Sequence, residues 1–274
     1  DLQDLNGNTI EPEFLEVDWD MTAAQKEGYP TFMLKEINEQ PAAINRTIMP
    51  RIKDGLPSFE EDGIPDSFFA DCSDITIVAC GTAMYAGMVG KTLMQDILGI
   101  PVTVAIASEF RYERPVITDK SVVIVVSQSG ETIDTLEALR LAKTKTNKTL
   151  SIVNVKGSSI ARESNYVLYT HAGPEIAVAS TKAYTVQAAA FYLLTCKLAL
   201  VQNAMSEADA RAFISNLENV SDNIAEVLKL SDKVEQLTKR MLNASHTFFI
   251  GRGSDYTLSM EGALKLKEIS YIHA

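Results

Sequence analysis

Apolar residues in the middle of the chain form two kinds of pattern, which alternate along the sequence. Short, continuous apolar runs rich in β-branched residues are typical of buried strands, and they occupy 75–79, 102–106, 122–126, 150–155 and 167–170. Longer stretches with apolar residues at helical spacing lie between and after these runs, at 83–98, 133–142, 159–163 and 183–200. Strands that are apolar throughout are buried on both faces, so we predict a parallel sheet covered by helices on both sides, a three-layer αβα sandwich of the α/β class.

The segments on either side of this pattern differ from it in composition. Residues 1–30 are acidic and contain a strand-like stretch at 14–17, so we interpret them as the tail of a preceding domain and a linker. Residues 31–52 fit two short helices divided at Pro41, and residues 206–243 fit two amphipathic helices.

The last part of the chain repeats the arrangement with which the predicted sheet begins. An apolar strand at 246–250 is followed by a glycine turn and by a helix that continues to Ser270. We therefore divide the chain into a linker, a first α/β domain with its flanking helices at 31–243, and the beginning of a second copy at 244–274.

Composition and charge argue against several classes of protein. Hydrophobic residues make up 46% of the 274 residues and charged residues 22%, which are ordinary values for a globular protein and argue against disorder. The formal net charge is −11 and no local basic patch offsets it, so nucleic acid is not an expected partner. An anionic ligand would have to be held by a local device, such as a helix N-terminus or a group of hydroxyls.

Neither a membrane nor a metal is expected as a partner, and no cofactor is implied. The longest apolar stretch, 183–200, is interrupted by Gln187, and the acidic start of the chain does not resemble a signal peptide. The cysteines lack metal-ligand spacing and lie in or beside apolar runs, which indicates reduced thiols in a cytoplasmic protein. They are Cys72, Cys80 and Cys196.

Residues that follow the strands are the candidates for function, because ligands of open parallel sheets bind at the carboxyl ends of the strands. The strongest signal is 127–132, which we call the serine loop. Ser127, Ser129 and Thr132 supply hydroxyls around a glycine, and a helix begins directly after them. Several neutral donors beside a helix N-terminus suit a phosphate monoester. The alternative is that Ser129 only caps the helix and that Ser127 only ends the strand.

Other loops either support this interpretation or fail as competing motifs. Thr82 and Ser180 supply further hydroxyls after other strands of the predicted sheet. The segment 87–91 has the wrong glycine spacing for a P-loop, and 251–256 lacks the third glycine of a dinucleotide-binding fingerprint. None of the three histidines lies in a nucleophile-elbow motif, so a serine–histidine hydrolase is poorly supported.

The C-terminal helix carries a second group of candidate residues. Glu261, Lys265 and Glu268 are spaced so that they share one face of a helix. They could form a solvated stripe of ion pairs. Alternatively, Glu268 could carry a proton between adjacent sugar carbons while the Lys265 ammonium stabilises the developing oxyanion.

Five segments carry a more specific pattern when they are taken together. They are Val-Ala-Cys-Gly-Thr-Ala at 78–83, Ala-Ser-Glu-Phe-Arg-Tyr at 107–112, Ser-Gln-Ser-Gly-Glu-Thr at 127–132, Val-Ala-Ser-Thr-Lys-Ala at 178–183 and Glu-Gly-Ala-Leu-Lys-Leu-Lys-Glu-Ile-Ser-Tyr-Ile-His-Ala at 261–274. Together they resemble the glutamine–fructose-6-phosphate aminotransferase (isomerising) family, also called glucosamine-6-phosphate synthases. The segments at 32–37 and 40–41 are similar to the interdomain segment of that family, so the resemblance covers essentially the whole chain.

The resemblance implies a synthase region built of two sugar isomerase (SIS) subdomains. In that family this region makes glucosamine 6-phosphate from fructose 6-phosphate and from ammonia, which an N-terminal glutaminase domain releases from glutamine. The resemblance assigns phosphate binding to Ser127, Gln128, Ser129 and Thr132, and sugar contacts to Thr82, Val178 and Ser180. It also implies that Glu268 is the glutamate that transfers the proton and that Lys265 is the lysine beside it.

The same resemblance implies parts that this sequence lacks. The family's N-terminal cysteine nucleophile, its ring-opening histidine and its imine-forming lysine have no counterpart here, and Ala83 stands where some members carry serine. We therefore expect a chain truncated at both ends, from a homodimeric enzyme, that binds sugar phosphate but does not complete amination. A stand-alone sugar-phosphate isomerase and a non-catalytic sugar-phosphate-binding module remain as alternatives.

Overall fold

A parallel β-sheet of five strands forms the centre of the protein. The computed structural model describes residues 3–11 and 25–274, so the strand-like stretch predicted at 14–17 lies outside the described residues. A small antiparallel pair, β1 (Ile52–Lys53) and β2 (Leu56–Pro57), precedes the sheet. The strands of the sheet are β3 (Asp74–Ala79), β4 (Val102–Ile106), β5 (Ser121–Ser127), β6 (Thr149–Val153) and β7 (Tyr166–Tyr169). Their order is β4-β3-β5-β6-β7, and every neighbouring pair is parallel.

Helices precede, connect and follow these strands. They are α1 (Phe32–Asn38), α2 (Gln40–Ile48), α3 (Asp66–Phe69), α4 (Gly81–Leu98), α5 (Ala107–Phe110), α6 (Ile133–Lys143), α7 (Ser159–Glu163), α8 (Lys182–Val201), α9 (Glu207–Glu218), α10 (Val220–Leu228), α11 (Ser231–Thr238) and α12 (Ser254–Ser270).

Both faces of the sheet are covered, which confirms the predicted three-layer α/β fold. In β5, Ile124 and Val126 belong to a core that includes side chains of α2, α4, α8 and α9, whereas Val123 and Val125 pack with α5, α6 and α7. Successive side chains of a strand point to opposite faces, so a strand apolar at every position needs a helical layer on each side. All five predicted strands of this sheet are present, with boundaries shifted by at most two residues.

Helix α8 lies at the centre of one helical layer. Most of its apolar side chains are fully buried, among them Phe191, Leu193 and Leu194. Within the described residues it is the one helix that is long and apolar enough to cross a membrane, and 61% of its apolar window is buried inside the fold. Its hydrophobicity therefore follows from its place in the core of the domain.

The flanking helices differ from the prediction in their number and division. The two helices predicted at 31–52 divide before Gln40 rather than at Pro41, because a proline in the first turn of a helix loses no intrahelical hydrogen bond. Residues 206–243 contain the three helices α9, α10 and α11, so the prediction of two helices is wrong. Asn219 ends α9, and its side-chain amide donates to the Ser215 carbonyl, an interaction that competes with continued helix.

The strand predicted at 246–250 is not formed within the described part of the chain. His246 makes an isolated parallel bridge with His273, and the side chains of Phe248 and Ile250 are 86% and 88% exposed. A strand needs a neighbour for its N–H and C=O groups, and a single bridge does not supply one. The helix predicted after the glycine turn is present as α12, which packs against α4.

The strand order places a crevice between β3 and β5. The chain leaves β3 through α4 to reach β4 on one side, and then crosses to β5 on the other side of β3. At such a reversal the loops after the two central strands diverge, which leaves a crevice at their carboxyl ends. Residues 80–83 and the serine loop are the segments that follow these two strands.

Candidate functional site

A cavity of about 270 Å³ opens at this crevice. The end of β5, the first turn of α4 and the loops that follow β3, β5 and β7 line it, together with a side chain of α8. The lining includes all seven predicted substrate-binding residues: Thr82, Ser127, Gln128, Ser129, Thr132, Val178 and Ser180. The predicted catalytic residues Lys265 and Glu268 lie outside this lining.

The serine loop is held in shape by hydrogen bonds among its own hydroxyls and amides. Ser127 Oγ and Thr132 Oγ1 lie 2.9 Å apart, and Gly130 N–H donates to Ser127 Oγ at 3.1 Å. Glu131 N–H donates to Ser129 Oγ at 3.2 Å. These contacts leave each hydroxyl able to donate toward the cavity or to accept from it, since a hydroxyl offers one donor and two acceptor positions.

Helix α6 begins directly behind the serine loop, with Thr132 as its N-cap. The first N–H groups of an α-helix lack intrahelical partners and carry a partial positive charge. The Thr132 hydroxyl bonds Ser127, and no side chain of the described structure caps the backbone of α6 from the N-cap position. The first N–H groups of α6 therefore have no cap from its N-cap side chain, and Thr132 places this end of the helix beside the cavity.

Neutral groups dominate the cavity lining, which includes no lysine or arginine among the described residues. Two side-chain oxygens of the lining, Gln128 Oε1 and Gln187 Oε1, are buried without a hydrogen-bond partner in the described structure. A buried acceptor that lacks a donor costs free energy, so these oxygens favour a ligand that carries hydroxyls. Gln187 is a site residue that the sequence analysis did not assign, although a glutamine within an apolar helix was a usable signal.

The serine loop is supported from behind by α7. Ile160 N–H donates to the Gly130 carbonyl at 3.0 Å, and Ser159 N–H donates to Glu131 Oε1 at 2.8 Å. The Glu131 carboxylate therefore turns away from the cavity and toward the N-terminus of α7. The hydrogen bonds from Ser159 stabilise its ionised form, which lowers the pKa of the carboxyl.

The segment 170–181, which joins β7 to α8 and which we call the cavity loop, forms another wall. Asn154 fixes its start, because its side chain accepts from Ala172 N–H at 2.8 Å and donates to the Gly173 carbonyl at 2.8 Å. Glu175 fixes its end, since its carboxylate accepts from Ser180 Oγ at 2.8 Å and from Thr181 N–H at 2.9 Å. The sequence analysis missed Asn154 and Glu175, whose roles depend on contacts across the fold.

Helix α12 reaches the cavity through Thr82. Lys265 Nζ donates to Thr82 Oγ1 at 2.9 Å, and Thr82 Oγ1 donates to Glu261 Oε1 at 3.1 Å. Lys265 Nζ also lies 2.7 Å from Glu268 Oε2. The predicted stripe of Glu261, Lys265 and Glu268 thus exists, and Thr82 links it to the lining of the cavity.

Glu261 differs from the other carboxylates of this stripe because it is buried. Its side chain is 9% exposed, against 38% for Glu268, and its Oε2 has no hydrogen-bond partner within the described structure. Burial raises the pKa of the Glu261 carboxyl to about 7, although Lys265 and the Thr82 hydroxyl lower it. The sequence analysis treated Glu261 only as a member of the stripe, because spacing alone does not reveal burial.

We predict that Glu261 makes the stability of the domain depend on pH. The folded state binds its proton more tightly than the unfolded chain, whose carboxyl has an ordinary pKa of 4.5, so stability decreases as the pH rises from about 4.5 to about 7. A Glu261→Gln variant should show a flatter profile and should be more stable than the wild type at pH 8, by about 1 to 3 kcal/mol. Urea unfolding at pH 5 and pH 8 measures both quantities, and equal pH dependence in the two proteins would contradict the assignment.

Comparisons with known proteins agree with the class of domain that this sheet and crevice define. Residues 68–197 match the SIS domain family. This stretch of the chain extends from α3 into α8. A tagatose-6-phosphate ketose/aldose isomerase from Escherichia coli has the same fold, with a TM-score of 0.65 and 16% identity over 89% of this chain and 66% of that chain. Residues 68–197 therefore form an SIS domain.

More similar relatives define the family. A glutamine–fructose-6-phosphate aminotransferase (isomerizing) from Caldanaerobacter subterraneus subsp. tengcongensis is 47% identical over 99% of this chain. The C-terminal domain of the glucosamine-fructose-6-phosphate aminotransferase from Francisella tularensis superimposes with a TM-score of 0.87 and 42% identity, over 91% of this chain and 70% of that chain. The chain belongs to the glutamine–fructose-6-phosphate aminotransferase (isomerizing) family. It spans about 45% of the length of the curated relatives that it matches.

Proposed function

We propose that this chain is the sugar-phosphate-binding part of an enzyme that converts fructose 6-phosphate and glutamine-derived ammonia to glucosamine 6-phosphate. The cavity between β3 and β5 binds the sugar phosphate. The observation that carries the proposal is the convergence of the serine loop, the N-terminus of α6 and Thr82 on this cavity. A glutaminase domain in the full-length protein supplies the ammonia.

The phosphate is bound by hydroxyls and amides rather than by cations. Ser129 donates to its oxygens, as does either Ser127 or Thr132, since the hydrogen bond between these two hydroxyls uses one of their protons. The open N-terminus of α6 supplies partial positive charge. The sugar lies toward Thr82, Val178 and Ser180. Hydrogen bonds to an ionised group are stronger than those between neutral groups, so this arrangement binds a dianion in a protein of net charge −11.

The acid–base step is assigned to the stripe on α12. Glu268 moves a proton between adjacent sugar carbons, and Lys265 stabilises the negative charge that develops on the oxygen. The contact between Lys265 and Thr82 supports this assignment, because it brings the ammonium to the edge of the cavity.

Loss of the Ser129 hydroxyl tests the phosphate assignment. A Ser129→Ala variant should bind fructose 6-phosphate about tenfold more weakly, since one hydrogen bond to a charged group is lost. Calorimetric titration measures this change. Ser206→Ala is the control, because Ser206 Oγ also accepts a backbone N–H at 3.2 Å, from Asp209 at the start of α9, and lies away from the cavity. Equal affinities for wild type and Ser129→Ala would contradict the assignment.

Residues 244–274 begin a second SIS subdomain in this proposal. The exposed apolar side chains of Phe248 and Ile250 support it, because they belong to a segment with strand-like sequence that lacks a neighbouring strand in the described structure.

We further propose a homodimer in the cytoplasm. Free thiols at all three cysteines are compatible with a reducing compartment.

A non-catalytic sugar-phosphate-binding module is the second candidate. The observation that favours it is the position of Glu268, which lies outside the cavity lining. Formation of glucosamine 6-phosphate by the full-length protein would decide for the enzyme, whereas ligand binding without product would decide for the module.

A further inference from the structure

The cavity loop depends on a carboxylate that belongs to a distant part of the sequence. Glu36 on α1 accepts the backbone N–H of Ile176 at 2.6 Å and that of Ala177 at 3.1 Å, both through Oε1. Glu36 is 2% exposed, and the two amides that it binds immediately precede Val178. One buried oxygen therefore holds the middle of the loop that walls the cavity.

The bonded amides have no regular secondary structure to hold them. The cavity loop contains no helix or strand, and its ends are held by Asn154 and Glu175. Between these two anchors, the buried Glu36 carboxylate accepts the N–H groups of Ile176 and Ala177, although Ile176 is 43% exposed. Val178 is fully exposed, so packing of its side chain does not fix this part of the loop.

Helix α1 is itself fixed to the beginning of α8. Glu39 forms ion pairs with Lys182 Nζ at 2.5 Å and with Lys35 Nζ at 3.5 Å, and both lysine side chains are 2% exposed. Since Lys182 is the first residue of α8, these pairs hold α1 against the point where the cavity loop ends. Glu36 therefore acts from a rigid support.

We propose that Glu36 is a positioning residue, which fixes the cavity loop in the conformation that binds the sugar phosphate and thereby makes α1 part of the site. This inference rests on the proposed function. The role requires an acceptor oxygen rather than a negative charge, and burial, which raises the pKa of the Glu36 carboxyl, disfavours the charge. A glutamine can supply the same acceptor, whereas an alanine cannot.

The test compares Glu36→Ala and Glu36→Gln in the whole chain, with fructose 6-phosphate as the probe. We expect Glu36→Ala to weaken binding about tenfold, and Glu36→Gln to stay within about threefold of the wild type. Amide hydrogen exchange supplies the second measurement: the Ile176 and Ala177 amides should exchange at least about tenfold faster in Glu36→Ala, with near-normal rates in Glu36→Gln.

A control separates positioning from a general loss of stability. Thr149, the first residue of β6, is fully buried, and its hydroxyl lies 2.6 Å from Asn165 Oδ1. It lies at the amino ends of the strands, whereas the cavity lies at their carboxyl ends. Thr149→Val should reduce the stability of the domain yet leave both the affinity and the exchange at Ile176 and Ala177 unchanged. A loss of affinity in Thr149→Val equal to that in Glu36→Ala would overturn the inference.

The outcomes also separate this inference from the proposed function. If the wild type binds fructose 6-phosphate and Glu36→Ala binds it with the same affinity, the positioning role alone is overturned. Slow exchange of the Ile176 and Ala177 amides in Glu36→Ala would do the same, because the loop would then be held without Glu36. A wild-type chain that binds no fructose 6-phosphate would overturn the proposed function and this inference with it.

Discussion

Replacement of Gly130 by alanine should strongly weaken the binding of fructose 6-phosphate. Gly130 has a φ of +66°, a conformation that strains residues with a Cβ. A Cβ at this position would also lie 2.5 Å from Ser158 Cβ and closer still to Ser158 Oγ. Both effects move the serine loop away from α7, and the hydroxyls of Ser127 and Thr132 then no longer converge. We expect a loss of affinity of at least about a hundredfold, about 2.7 kcal/mol, measured by calorimetric titration.

A second glycine separates the two causes of this effect. Gly99, at the end of α4, has a φ of +67°, and a Cβ added there would meet no atom within 4 Å. Gly99→Ala therefore introduces the same backbone strain without a clash and away from the cavity. It should lower the melting temperature while ligand affinity stays normal. If Gly99→Ala and Gly130→Ala lowered affinity equally, the loop geometry would not be the cause.

Replacement of Glu268 by glutamine should reduce the turnover of the full-length enzyme about a thousandfold and leave its affinity for fructose 6-phosphate nearly unchanged. A glutamine cannot carry the proton, whereas the proposed phosphate contacts lie on other elements and stay intact. Steady-state kinetics together with a binding titration separates the two effects. Equal losses of affinity and turnover would contradict the proton-transfer role.

The control for Glu268 is an ion pair of the same spacing on another helix. Lys229 Nζ lies 2.5 Å from Glu226 Oε1 on α10, and both side chains are exposed, 67% and 70%. Glu226→Gln removes a carboxylate that pairs with a lysine three residues away, as Glu268→Gln does. It should leave both the turnover and the affinity for fructose 6-phosphate unchanged. A comparable loss in Glu226→Gln would show that net charge, and not proton transfer, determines turnover.

The sequence predicts those parts of the fold and site that depend on local patterns. Continuous apolar runs such as 122–126 predicted buried parallel strands, and the hydroxyls of 127–132 predicted a polar loop at a strand end. The structure confirms the sheet and brings the residues of the serine loop to one cavity. Their role in binding stays a prediction until a ligand is measured.

The parts that the sequence does not predict depend on contacts between distant segments. Glu36 and Ile176 meet only after α1 has packed beside the cavity loop, and Asn154 reaches Gly173 only when β6 and β7 are paired. The burial of Glu261 likewise follows from the packing of α12 on α4. The strand predicted at 246–250 shows the opposite case, because its apolar pattern is strong but the described structure offers it no neighbouring strand.

The most direct test of the whole account is a crystal structure of the chain with fructose 6-phosphate. The account predicts a phosphate group within hydrogen-bond distance of Ser127, Ser129 and Thr132, at the N-terminus of α6. A phosphate bound at another surface, with the cavity between β3 and β5 free of ligand at saturating concentration, would contradict it.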